Sequence, residues 1–263
     1  MVNHRKRIGI LGGMGPEATA YYYSYITREY HQKFGDYAYP EIIIYSLSSQ
    51  DIIDGLRLTK PELTADTSEV AGKVQRAIEK LHQAGADFVI AACNTIHFVF
   101  EKVSKDIPIP WISIMEPVAE RITQAGLKKV ALLGSTLTAR GGFYQRNFDT
   151  YGIECIIPDA DDQERVNEII FSELVLAEAR EASHSFVVDC INRLIGRGAQ
   201  GVVLACTELP FLIDAKDVTV PLLKTSDIHA QKALCLAVGE ASIEPSSYKE
   251  ITDGGTKSSR DME

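Results

Sequence analysis

Gly85-Ala86-Asp87-Phe88-Val89-Ile90-Ala91-Ala92-Cys93-Asn94-Thr95-Ile96-His97-Phe98 returns further along the chain as Gly198-Ala199-Gln200-Gly201-Val202-Val203-Leu204-Ala205-Cys206-Thr207-Glu208-Leu209-Pro210-Phe211. The offset is constant at 113 (93 to 206), and Gly, Ala, Val, Ala, Cys and Phe coincide. Each copy follows a segment with helical spacing (76–83 and 189–197) and precedes a proline-led apolar run (110–112 and 221–223). The halves also open alike, Ile8-Gly9-Ile10-Leu11-Gly12-Gly13 against Val130-Ala131-Leu132-Leu133-Gly134-Ser135. A duplicated unit of this kind predicts an α/β protein of two similar lobes. Each is a parallel β-sheet covered by helices, the two related by a pseudo-dyad with the active site between them.

Outward from the repeat, short apolar runs at 8–11, 41–45, 88–92, 111–114, 130–133, 155–157, 202–205 and 220–223 read as strands buried on both faces, because they are continuous rather than alternating. Between them, 18–34, 66–84, 117–125, 142–151, 162–181 and 183–197 carry helical periodicity. The expected division is 1–116 for the first lobe, with 228–243 packing back on it, then 117–227 for the second lobe. The Ser-, Gly- and charge-rich segment 244–263 is expected to be a mobile polar tail.

Composition narrows the function classes. The chain has 263 residues, 45% of them hydrophobic, and a net charge of −9, which argues against a broad nucleic-acid or anionic-membrane surface. No stretch approaches the ~20 apolar residues of a membrane helix. The basic start His4-Arg5-Lys6-Arg7 leads into an apolar run cut short by Gly12, Gly13 and Gly15, too brief for a signal peptide. Five cysteines, widely spaced and without a Cys-x-x-Cys pair, fit a reducing, cytoplasmic location and offer no metal-site spacing.

Ligands of open α/β sheets bind at the carboxyl ends of strands, where Cys93 and Cys206 both fall. A lone cysteine is more often a small core residue than a catalyst. Here the duplication keeps the thiol while its neighbours diverge, and the polar residues after each thiol start helical turns whose N-termini are expected to lower its pKa. Two thiols facing each other suit inversion of a stereocentre, one removing a proton and the other delivering one from the opposite face. Cys155, Cys190 and Cys235 lack that context and are expected to be core residues.

Other groups carry two readings each. Gly13-x-Gly15-x-x-Ala18 matches a dinucleotide fingerprint, which keeps a dinucleotide-dependent oxidoreductase as an alternative. The ribose-binding acid expected after the second strand is replaced by Ser46-Leu47-Ser48-Ser49-Gln50, and the glycine loop serves equally to bind a carboxylate. His97, four residues after Cys93, could form a Cys–His couple, but reads rather as a half-buried helix histidine, since its counterpart is Pro210. Glu208 either orients Cys206 or meets a substrate ammonium, or else is a solvated first-turn carboxylate. Thr136, Thr138 and Arg140 lie in the loop equivalent to the glycine loop and are candidates to bind a second carboxylate.

At Gly12-Gly13-Met14-Gly15-Pro16-Glu17-Ala18-Thr19, Cys93-Asn94-Thr95 and Cys206-Thr207-Glu208, the chain resembles the aspartate/glutamate racemase superfamily, most closely its aspartate racemases. The resemblance runs from about 8 to 239. It implies cofactor-independent interconversion of L- and D-aspartate, or glutamate, with the two cysteines as proton donor and acceptor and no metal. It also implies that Met14, Gly15, Asn94, Thr95 and Thr207 surround the acidic amino acid, and, since many members are homodimers, it makes a homodimer a candidate assembly. Where some aspartate racemases carry a carboxylate-binding arginine, this chain reads Ser48-Ser49-Gln50-Asp51, leaving Gln50 as the candidate there. The Asp-Ser-Gly and Cys-Thr-His motifs of cell-wall glutamate racemases are absent. A maleate-isomerase-like cysteine enzyme and a silent binding protein on the same scaffold remain as further alternatives.

Overall fold

In the computed structural model, which describes residues 5–58 and 66–243, each copy of the repeat forms a strand of its own parallel sheet. The first sheet joins β1 (Ile8–Gly12), β2 (Ile42–Ser46) and β3 (Phe88–Ala91) in the order β2-β1-β3. The second joins β4 (Lys129–Leu133), β5 (Glu154–Ile156), β6 (Val202–Leu204) and β7 (Leu222–Lys224) in the order β5-β4-β6-β7. All pairings are parallel. The helices are α1 (Pro16–Phe34), α2 (Ser49–Gly55), α3 (Ser68–Gln83), α4 (Phe100–Val103), α5 (Met115–Gln124), α6 (Thr136–Arg140), α7 (Phe143–Asp149), α8 (Ala160–Ser172), α9 (Glu181–Gly196) and α10 (Thr225–Ala237).

Alternation along the buried strands divides each lobe into two apolar layers. In the first, Leu11, Val89 and Ala91 face Val70, Val74, Ile78 and Leu81 of α3, while Ile8, Ile10, Phe88 and Ile90 face Tyr22 and Ile26 of α1 and Ala233 and Leu234 of α10. In the second, Ala131, Leu133, Val202 and Leu204 meet α8 and α9, while Val130, Leu132 and Val203 meet α5 and α7. Repeat equivalence extends to the turns. Gly85 after α3 and Gly198 after α9 have φ of 99° and 95°, a region that L side chains rarely adopt. Each strand of the repeat then ends on a matching bond, Ala92 N–H to Leu11 O at 3.0 Å and Ala205 N–H to Leu133 O at 2.7 Å. The thiol residue comes next in both.

Three expectations are corrected. The run 111–114 is not a strand. Val89 donates to Pro110 O and accepts from Ile112 N–H, so Trp111 makes a single bridge where the second lobe, with Val202 N–H bonded to Pro221 O, goes on to form β7. Burial on both faces fails for β2 and β5, which are sheet edges; Ile44 is 41% exposed. The helix expected over 162–181 stops at Ser172, where Ala177 (φ 58°) closes a short 3-10 turn and Glu173 turns inward to accept from Ser183 Oγ at 2.7 Å. The expected tail, 244–263, lies outside the described residues. Among the described residues no helix is long and apolar enough to cross a membrane.

Candidate active site

Both repeat cysteines open into one pocket, each only 8% exposed, at the carboxyl ends of β3 and β6. About 490 Å3 of space outside atoms, partly open to solvent, lies between residues of the two lobes.

Cys93 is positioned by a neutral histidine. His97, fully buried and not half-buried as expected, uses one ring nitrogen on Cys93 O (3.0 Å) and accepts from Ile114 N–H on the other (3.2 Å). Both ring positions are consumed in the neutral form, and burial pushes its pKa down to about 4. Beside the thiol, Asn94 donates to Thr225 Oγ1 (3.0 Å) and accepts from Tyr144 O–H (2.5 Å). The Thr95 hydroxyl joins a triangle with Ser135 (2.9 Å) and Thr138 (3.0 Å) of the second lobe.

Cys206 has a different companion. Its Sγ donates to Glu208 Oε2 at 3.2 Å, and Thr207 O–H donates to the same oxygen at 2.9 Å. Glu208 is only 5% exposed, and its other oxygen, Oε1, is buried without a hydrogen-bond partner of good geometry. Burial raises its pKa, against the pull of the Cys206 and Thr207 hydrogen bonds and the Gly15 amide. Of the two readings of Glu208, the solvated carboxylate is therefore the wrong one.

The expected lowering of the thiol pKa is also wrong. Burial pushes Cys93 up to about 12, despite the amides of Ile96 and Thr95 and with Glu208 adding to the rise. Burial and the Glu208 charge together hold Cys206 well above its ordinary value. The helical starts after the two thiols, Thr95–Val99 and Leu209–Phe211, are brief 3-10 turns whose few amides do not repay desolvation. Of the three other thiols, Cys190 is buried as expected, whereas Cys155 and Cys235 are only half-buried.

Met14, Gly15, Asn94, Thr95, Thr207 and Glu208 line the pocket together with the two thiols. Gln50 does not; it is exposed and donates to Asp54 at 2.8 Å along α2. Thr138 lies behind the pocket in the hydroxyl triangle, and Thr136 gives its amide to Asn167 Oδ1 at 2.8 Å. Arg140, at the end of α6, is exposed and does not line the site.

The glycine loop is closed on itself: Gly13 N–H donates to Thr19 Oγ1 (2.9 Å), that hydroxyl donates to Gly15 O (3.0 Å), and Ser49 O–H donates to Gly13 O. The Gly13 amide is thus not free for a phosphate, and no carboxylate stands at the end of β2 to hold a ribose. Among the described residues no cluster of three His, Cys, Asp or Glu is placed to hold a metal.

Sequence reasoning missed the side walls. Ser49, Ile52, Ile53 and Leu58 come from α2 and the turn after it; Ile170, Phe171 and Val175 come from α8 and its following turn; Ser135 caps α6. The helices α2 and α8 follow the second strand of their lobes, so the repeat pointed to them, but α2 is too short to show a period. Ser135 stood in the aligned loop and was passed over for its neighbours.

Residues 11–233 match the model of the family described as Asp/Glu/Hydantoin racemase. The broad specificity amino-acid racemase RacX of Bacillus subtilis is 27% identical over 231 residues, 86% of this chain and 96% of that protein. The crystal structure of an aspartate racemase homologue from Pyrococcus horikoshii superposes with a TM-score of 0.74 at 34% identity, covering 88% of this chain and 99% of that one. The aspartate racemase of Picrophilus torridus shares the fold, with a TM-score of 0.68 at 23% identity over 89% of this chain and 94% of that one.

Proposed function

Because the chain belongs to the Asp/Glu/hydantoin racemase family, we propose that it interconverts the enantiomers of an α-amino acid with no resident cofactor, Cys93 and Cys206 exchanging the α-proton on opposite faces. The observation that carries this reading is the pairing, in one pocket, of two buried strand-end thiols with a carboxylate whose Oε1 is buried without a hydrogen-bond partner of good geometry. A buried acceptor without a donor is costly, and a substrate ammonium satisfies it. The Asn94 side chain and the Gly15 backbone line the same pocket and are the candidates to orient the α-carboxylate, with Thr207 holding Glu208.

The chemistry follows from the proton count. Cys206 and Glu208 hold one proton between them across the 3.2 Å contact, so its transfer to the carboxylate leaves a thiolate. That thiolate takes the α-proton, the electron pair moves into the substrate carboxylate as an enediolate, and Cys93 returns its own proton to the other face. The two thiols then stand in exchanged roles, ready for the reverse direction. Raised pKa values make each thiolate a strong base once formed, which suits a weakly acidic C–H.

The sequence resemblance points to aspartate, and the relatives' names span aspartate and broad specificity. No Lys, Arg or His lines the pocket among the described residues, so the reading is held at the level of an α-amino acid. Chiral chromatography of dialysed protein with single enantiomers tests it. Racemisation without added cofactor is expected; a strict requirement for pyridoxal phosphate or a nicotinamide would overturn it.

A further inference from the structure

Resting on that two-thiol reading, we propose that the site selects a neutral amino acid with an extended apolar side chain over aspartate or glutamate. The side chain would lie between Ile52 and Leu58 of the first lobe and Ile170 and Phe171 of the second.

The pocket is chemically two-sided. Its polar groups gather at the thiols: Glu208, Asn94, Thr95 and Thr207. The other polar side chains of the lining are already engaged, Ser49 with Gly13 O and Ser135 with Thr95 and Thr138. What remains is hydrocarbon and thioether, drawn from α2, the turn after it, α8 and Met14. Phe171 packs against the apolar cores of both lobes, so this wall draws on each of them.

Among the described residues, that wall offers a second carboxylate no donor. Among the described residues the one charged group lining the pocket is Glu208, itself acidic, and Arg140 is turned to solvent. A carboxylate moved from water against hydrocarbon without a donor is strongly disfavoured, and the nearby Glu208 charge opposes it further. An aliphatic chain gains from the same surface, where one methylene changes kcat/KM by about 10- to 200-fold.

The test compares L-norleucine, L-methionine and L-alanine with L-aspartate and L-glutamate on the full chain, reading α-proton exchange in D2O by NMR and racemisation by chiral chromatography. Norleucine is expected to exceed aspartate at least tenfold in kcat/KM, with alanine well below norleucine. Introducing a cation at either half-buried wall, Ile53→Arg or Val175→Arg, is expected to move the aspartate-to-norleucine ratio at least tenfold toward aspartate. Aspartate turned over as well as norleucine by the unaltered chain would overturn the inference while leaving the two-thiol reading intact. If no amino acid exchanges its α-proton, the two-thiol reading fails instead, and calorimetric binding decides the selectivity: norleucine bound and aspartate not bound sustains it, whereas the reverse, or neither bound, ends it.

Discussion

Cys93-Asn94-Thr95 and Cys206-Thr207-Glu208 occupy the same place in two copies of one fold, yet their thiols live in different company. The first is set among neutral groups: a buried histidine on its carbonyl, an amide tied to Tyr144 and Thr225, and a hydroxyl in a triangle. The second shares a hydrogen bond with a buried carboxylate. Duplication supplied two equivalent positions for sulfur, and divergence left a built-in proton acceptor on one side only. In the racemisation proposed above, a symmetric reaction would run on an asymmetric pair.

The largest break in that comparison is loss of either sulfur. Serine is nearly the size of cysteine but a far weaker acid, so Cys93→Ser and Cys206→Ser should each lower racemisation by at least about 10³-fold, roughly 4 kcal/mol of barrier. In D2O each variant should still exchange the α-proton of one enantiomer, and the two variants should differ in which one. Near-normal racemisation by either would reduce the repeat to a relic of duplication.

Next in size, Glu208→Gln removes the proton acceptor and the ammonium seat and should lower kcat/KM by about 10²-fold, within the range of general acid–base effects. The matched change, Thr95→Val, removes one hydroxyl of a neutral triangle and should cost about tenfold or less, the scale of one net hydrogen bond. Equal losses would mean that the two corners work alike and that the carboxylate is incidental.

The pH profile refines the same contrast. Both thiols have raised pKa values, so the thiolate is the minor form at neutrality and its fraction grows as pH rises. kcat/KM should therefore climb through pH 7 to 9, by up to about tenfold per unit, the limit for one essential ionisation. A plateau already reached at pH 7 would contradict the raised values.

The smallest expected effect is on stability, and it separates the lobes. His97 and His229 are buried as neutral rings, with pKa values pushed by desolvation to about 4 and about 3. His229 accepts from Tyr22 O–H (3.1 Å) and donates to Ile112 O (3.2 Å), so it too belongs with the first sheet. Unfolded histidine takes up a proton near pH 6.5, so the stability these rings contribute is complete above that pH and lost as pH falls toward 4 and below. Amide exchange at pH 4 to 5 should open β1 and β3 before β4 and β6. Protection lost first in the second lobe would remove the histidines from the account.

Much of this was legible before any coordinates. The strands carrying the thiols could be read because each is continuously apolar and buried at every position, and the repeat pointed to their equivalence. Trp111 misled because Pro110 and an apolar run look alike whether one residue pairs or three. The side walls were hidden for another reason: Ile52 and Ile170 differ from other helix isoleucines only in which way they face across a cleft that local periodicity does not encode. The thiol pKa was misjudged by counting helix amides without the cost of drying the sulfur, which depends on how tightly two lobes close.

The placement of α10 has a consequence for how the chain is made. The face of the first sheet formed by Ile8, Ile10 and Ile90 is covered by Ala230, Ala233 and Leu234, which lie beyond the whole of the second lobe in sequence. On the ribosome, the earliest strands must wait, with that hydrocarbon face covered only in part by α1, until α10 has emerged. The half that is synthesised first is thus the half that is finished last.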